Sequence, residues 1–126
     1  MQTPEDQDLV AGGVWAIGPV SAVPESKLLD WRVFEVQRAG HHVRTRHFVG
    51  SVGWHYDGQV SSTIVSFDPA TRSGTTESGR VYQLVGRGSG LGLNADYVWR
   101  KWLRRCAAAD VVDVTPEVEE LLSKKE

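Results

Sequence analysis

From Trp31 to Val85 apolar and polar residues alternate with the period of two that an extended strand imposes, and from Asn94 the apolar positions recur at helical spacing. The alternation predicts strands over Trp31–Arg38, Val43–Tyr56, Gln59–Phe67, Arg72–Glu77 and Arg80–Val85. Turn signals separate them: Ala39-Gly40, Asp57-Gly58, Asp68-Pro69-Ala70-Thr71 and Ser78-Gly79. Asp57-Gly58 reads as a two-residue hairpin turn, because the type I′ turn needs positive φ at both central residues. Asp68-Pro69 suits the first two positions of a type I turn. In the first strand Trp31 and Val33 point one way while Phe34 and Val36 point the other, so it is expected to lie centrally with both faces covered. Gly50 and Gly53 mark the expected bends of the long second strand. Upstream, Val14–Ile17 is a short apolar run bounded by glycines, and Pro19 and Pro24 make Gly18–Ser26 a loop.

After the connection holding Gly86, Gly88, Gly90 and Gly92, Asn94 is expected to cap a helix reaching about Ala108. Ala95, Val98, Trp99, Trp102, Leu103 and Cys106 form its apolar stripe. Arg100, Lys101, Arg104 and Arg105 fall toward its C-terminal half, where the helix dipole favours cations. Val111–Val114 reads as extended, and Thr115-Pro116-Glu117 opens a second helix with Thr115 as cap and Pro116 at the first helical position. The expected fold is α+β: a curved antiparallel five-stranded meander packed by a C-terminal helix, plus a short terminal helix. Residues 1–12 read as a disordered tail and 13–126 as one domain.

Composition narrows the class. Hydrophobic residues make up 40% of the 126 and charged residues 24%, which is ordinary for a globular chain. A single cysteine, Cys106, excludes an internal disulfide and a Cys-rich zinc site. No apolar run approaches the ~18 residues of a membrane helix, and the polar, acidic N-terminus lacks the basic start of a secretory signal. A cytoplasmic protein without membrane association is expected. The net charge of −2 hides a segregation: residues 1–29 carry −3, residues 30–105 carry +5 and residues 106–126 carry −4. Either the basic middle meets an anionic partner, or the acidic ends fold back and neutralise it, within the chain or across an oligomer. The second reading is preferred, since nucleic-acid-binding domains are usually strongly basic.

The candidate chemistry is thin. Gly86-Arg87-Gly88-Ser89-Gly90-Leu91-Gly92 stands between a strand and a helix, but Leu91 takes the place of the third glycine of the dinucleotide fingerprint, and there is no Gly-Lys-Ser/Thr. His41, His42, His47 and His55 lie close in sequence without helical spacing or a nearby cysteine, so no metal and no cofactor is expected. No Gly-x-Ser-x-Gly elbow is present, Cys106 sits on an apolar stripe, and no catalytic residue is assigned. Arg32, Arg38, Arg44, Arg46 and His47 share neighbouring strands with Trp31, Phe34, Phe48 and Trp54, in the manner of single-stranded nucleic-acid binders, and Arg44, Arg46 and His47 are the candidate anion contacts. Cross-strand Arg–aromatic and Arg–Glu pairing on a half-buried sheet is the preferred reading of the same residues. The aromatic inventory is the stronger clue. Five tryptophans exceed what a core of this size requires, and Trp31, Phe34, Trp54, Tyr82, Trp99 and Trp102 are the expected ligand or partner contacts, as pocket lining, packing or subunit contact.

The segment Arg72-Ser73-Gly74-Thr75-Thr76-Glu77-Ser78-Gly79-Arg80-Val81-Tyr82-Gln83-Leu84-Val85-Gly86, followed by Tyr97-Val98-Trp99, resembles a pattern in short uncharacterised bacterial proteins of mobile elements, such as integron cassettes and prophages. The likeness covers roughly residues 31–115. It implies an accessory, host-modulating role and a small homo-oligomer, a dimer or tetramer, and it transfers no catalytic residue. The leading expectation is a non-enzymatic binding protein acting through an aromatic pocket or a protein contact. The alternatives are a small α+β enzyme using the strand His and Arg residues, and a nucleic-acid binder using the basic sheet face.

Overall fold

The structure is a computed structural model that describes residues 15–20, 24 and 26–124; the tail expected over residues 1–12 lies outside the described residues. Among the described residues eight strands and two helices follow in the order β1 (Ala16–Ile17), β2 (Ser26–Arg38), β3 (Arg44–Val52), β4 (Asp57–Val60), β5 (Ile64–Asp68), β6 (Ser73–Thr76), β7 (Val81–Leu84), α1 (Leu93–Arg105), β8 (Ala108–Asp113) and α2 (Thr115–Lys124). The α+β class holds, but the strands form one mixed, mostly antiparallel sheet in the order β1-β5-β6-β7-β2-β3-β4, with β8 also on β2. The expected five-stranded meander is corrected by two parallel pairings, β1 with β5 and β2 with β7, which join segments distant in sequence.

β2 is the spine of this sheet. Ser26–Leu28 runs parallel to Tyr82–Leu84, whereas Arg32–Gln37 pairs antiparallel with β3 and Phe34–Arg38 with β8. The register slips between Leu29 and Arg32, where Asp30 adopts a φ of 48°. Such a bulge bends a strand and raises its twist. The two halves of the sheet consequently face each other: Phe48 on β3 reaches Phe67 on β5 at 6.3 Å and Tyr82 on β7 at 5.6 Å between ring centroids. That approach needs Gly74, where a Cβ would stand 2.5 Å from the Phe48 ring.

The alternation in β2 sorts its side chains as expected. Trp31 and Val33 enter the inner core with Trp15, Phe48, Phe67 and the α2 residues Val118 and Leu122. Phe34 and Val36 join Val49 under α1, against Trp99. Two helices on opposite faces thus bury both sides of one strand, the arrangement that its two apolar faces require.

Local signals place several boundaries differently. The expected strand Val43–Tyr56 ends at Val52, and the turn is the four-residue Gly53–Tyr56, closed by Tyr56 N–H donating to the Gly53 carbonyl at 3.3 Å. Asp57-Gly58 lies inside β4 instead. Gly58 is needed for close approach, since a Cβ there would stand 2.4 Å from the Asn94 carbonyl oxygen at the start of α1. The expected strand Gln59–Phe67 breaks at Ser61–Thr63 into β4 and β5, which lie far apart in the sheet order. Asn94 does not cap α1; Gly92 holds that position without a side-chain hydrogen bond. The Thr115 hydroxyl does not cap α2 either: it accepts the Val33 N–H at 2.9 Å, tying the helix to β2.

Candidate interaction surface

The structure separates the sequence-named aromatics into three groups. Trp31 and Tyr82 belong to the inner core, where the Trp31 indole N–H donates to the Gly86 carbonyl at 3.2 Å and the Tyr82 hydroxyl to Gln59 at 3.1 Å. Phe34, Trp99 and Trp102 form a ladder between α1 and the sheet. Phe34 stacks on Trp99 at 4.5 Å, Trp99 on Trp102 at 5.5 Å, and Trp102 tilts over His47 at 4.7 Å. Trp99 is only 6% exposed. The ladder packs the space in which an enclosed pocket was one expectation.

Arg44, Arg46 and His47 are likewise occupied. Arg46 is 1% exposed. Its Nε donates to Glu35 at 3.0 Å, and Nη1 and Nη2 donate to Glu117 at 2.8 and 3.1 Å. The guanidinium carbon lies 4.7 Å from the centroid of the Trp15 ring, a favourable cation–π geometry. Arg44 donates to the other Glu35 oxygen at 2.6 Å and to Asp110 at 2.9 Å. These bonds, Glu35 first, hold its pKa above the ordinary arginine value. Arg32 pairs with Asp113 at 3.0 Å. Burial alone would raise the Asp113 pKa, but hydrogen bonds from Thr115 and Arg32 bring it below the usual carboxylate value. Acids of the C-terminal segment therefore neutralise arginines of the middle within the chain.

His47 Nδ1 lies 3.0 Å from the Ser61 carbonyl oxygen and so carries the proton, which leaves Nε2 to accept the Thr45 hydroxyl at 2.7 Å. Burial is the main cause holding its pKa below the ordinary histidine value; the Arg38 charge adds to this and the bond to Ser61 opposes it. Both ring nitrogens are engaged beneath Trp102, which leaves no lone pair for acid–base work on an outside molecule. Among the described residues no group of three or more His, Cys, Asp or Glu side chains converges as a metal site.

Trp54 is the exception. It is 94% exposed, at the tip of the β3–β4 hairpin, and Tyr56 beside it is 57% exposed with a φ of 53°. A non-glycine residue held in the left-handed region costs roughly 1 kcal/mol or more, and asparagine or glycine usually fills such a place. The hairpin is braced from below by the contact of Gly58 with the first turn of α1 and by Asn94 Nδ2, which donates to the Tyr56 carbonyl at 3.0 Å.

Two depressions flank Tyr56. One, of about 380 Å³, is lined by Lys27, Leu29, Gly53, Trp54, Tyr56 and Val85. The other, of about 480 Å³, is lined by Asp30, Ser51, Tyr56, Gly92, Leu93 and Asn94. Leu93 is 91% exposed, and Tyr97, one helical turn on, is exposed as well. The result is an apolar, aromatic surface with a polar rim, built on a braced hairpin and a helix start.

Of the named aromatics this surface contains Trp54 alone. Tyr56, Leu93, Val85 and Lys27 were not singled out from the sequence. A signal for them existed: Gly53-Trp54-His55-Tyr56 puts two large aromatics where turns favour small polar residues. No helix among the described residues is long and apolar enough to cross a membrane. None of the family models, curated proteins or solved structures compared with this chain matches it.

Proposed function

We propose that this chain is a non-enzymatic accessory binding protein that makes a protein contact through the β3–β4 hairpin surface. The observation that carries the reading is Trp54, almost wholly in water at the tip of a hairpin whose neighbour Tyr56 is held in a costly backbone conformation. Tryptophan and tyrosine dominate the energetics of protein contacts, and backbone strain concentrates where function requires it. Neither residue stabilises the core from that position, so selection for folding alone does not explain them. The resemblance of residues 72–86 to short mobile-element proteins supports an accessory role, and a cytoplasmic location is part of the proposal.

The test is a photo-crosslinking amino acid at position 54 in living cells, with the exposed turn position 80 as control. A discrete protein adduct from position 54, absent from position 80, is the expected result. Absence of any adduct from position 54 contradicts the reading.

A further inference from the structure

We infer that the partner seated on the hairpin surface is a second copy of this chain, related by a two-fold axis passing near Tyr56. This rests on the contact reading above and names its occupant. A two-fold contact joins one patch to itself in reversed orientation, so the patch must be self-complementary in shape and in charge. The two depressions supply the two halves of such a patch. Tyr56 lines both of them. Rotation about an axis at Tyr56 carries the Trp54 side of one copy onto the Leu93 side of the other. A protruding indole, 94% exposed, then lies over the depression between Leu93 and Asn94, whose walls are held by the packing of α1 on Gly58.

Charge follows the same symmetry. Lys27 lines the first depression and Asp30 the second. The rotation that seats Trp54 brings Lys27 of each copy to Asp30 of the other, giving the contact two equivalent ion pairs at its rim. Among the described residues Asp30 receives one hydrogen bond, from the Ser89 hydroxyl at 3.1 Å to Oδ1, and the second copy's Lys27 is assigned to Oδ2. Electrostatic pairing of this kind fixes register and suppresses wrong partners.

The experiment is sedimentation equilibrium of the full chain across the micromolar range, for wild type, Trp54→Ala, Lys27→Asp and the swap Lys27→Asp/Asp30→Lys. The wild type is expected to be a dimer. Trp54→Ala is expected to weaken it about 30-fold, the loss typical of a central aromatic contact. Lys27→Asp weakens it by bringing two acids together, and the swap restores association by recreating both pairs in reverse. Thermal unfolding of each variant separates loss of association from loss of fold, which matters for lysine at the positive-φ position 30. A wild type monomeric throughout overturns the inference; so does a dimer indifferent to Trp54→Ala, or a swap no better than Lys27→Asp alone. The in-cell adduct distinguishes the two levels of failure. An adduct to another protein leaves the contact reading standing without the second copy, and no adduct at position 54 removes both.

Discussion

Replacing Arg46 by methionine tests whether that side chain is a framework element rather than an anion contact. Arg46 is fully buried and makes three charged hydrogen bonds, one to Glu35 and two to Glu117. Its partners lose unequally. The Glu117 side chain is 40% exposed and can hydrate. The Glu35 side chain is only 12% exposed, but it keeps Arg44 on its other oxygen. Removing one member of a buried pair costs about 3–5 kcal/mol, mostly through the charge left behind. Because Glu35 stays half compensated, we expect the low end, about 3 kcal/mol. Adding Glu35→Leu removes the stranded charge, and Arg44 retains Asp110 and Gln37. The double variant is therefore less damaging than the sum of the singles, with a coupling of about 2 kcal/mol. Urea unfolding of the four proteins, read at constant slope, measures this cycle. A loss below about 1 kcal/mol for Arg46→Met, or coupling below about 0.5 kcal/mol, refutes the reasoning.

Four further outcomes follow from the same geometry. Trp54→Ala should leave unfolding free energy within about 0.5 kcal/mol of wild type, at a concentration where both are monomeric, whereas Trp99→Ala should cost about 3–5 kcal/mol by emptying the ladder; equal effects in thermal or urea melts would undo the distinction. Ala107 ends α1 at a φ of 54°, where glycine carries no Cβ penalty, so Ala107→Gly should stabilise by about 1 kcal/mol in the same assay. Tyr56→Asn should relieve strain by about 0.5–1 kcal/mol while weakening association; a variant both less stable and fully associating speaks against the strain argument. His47 is held neutral by burial, so its protonation favours the unfolded chain. Its contribution is complete above the ordinary value of 6.5 and is lost as pH falls below it, at up to about 1.4 kcal/mol per pH unit for one proton. His47→Gln should flatten that limb of a stability–pH profile, and a profile unchanged by the substitution contradicts the assignment. The limb carried by Asp68 and Asp113 lies lower, beginning below 3.8, because their folded pKa values are depressed.

Much of the framework was readable from local pattern. Alternation in β2 separated Trp31 and Val33 from Phe34 and Val36, and each pair found its own core. Charge segregation anticipated the return of C-terminal acids to the basic strands, seen in Asp110 and Glu117 against Arg44 and Arg46. What escaped was non-local. The parallel pairing of Ser26–Leu28 with Tyr82–Leu84 leaves no local signature in either segment. Gly58 looked like a turn glycine because Asp-Gly favours positive φ, yet its role is to admit the backbone of Asn94. Gly50 looked like a bend, and a Cβ there would stand 2.7 Å from Leu28. Tryptophan content announced an aromatic role but could not separate filling from contact, since Trp99 and Trp54 differ only in what the fold lays over them.

The most direct test of the hairpin surface as a self-contact is amide hydrogen exchange at low and high protein concentration. The amides of the Gly53–Tyr56 turn and the first turn of α1 are expected to slow as concentration rises, while those of the turn around Gly79 do not change. Exchange independent of concentration in the hairpin, or slowing confined to another face, contradicts it.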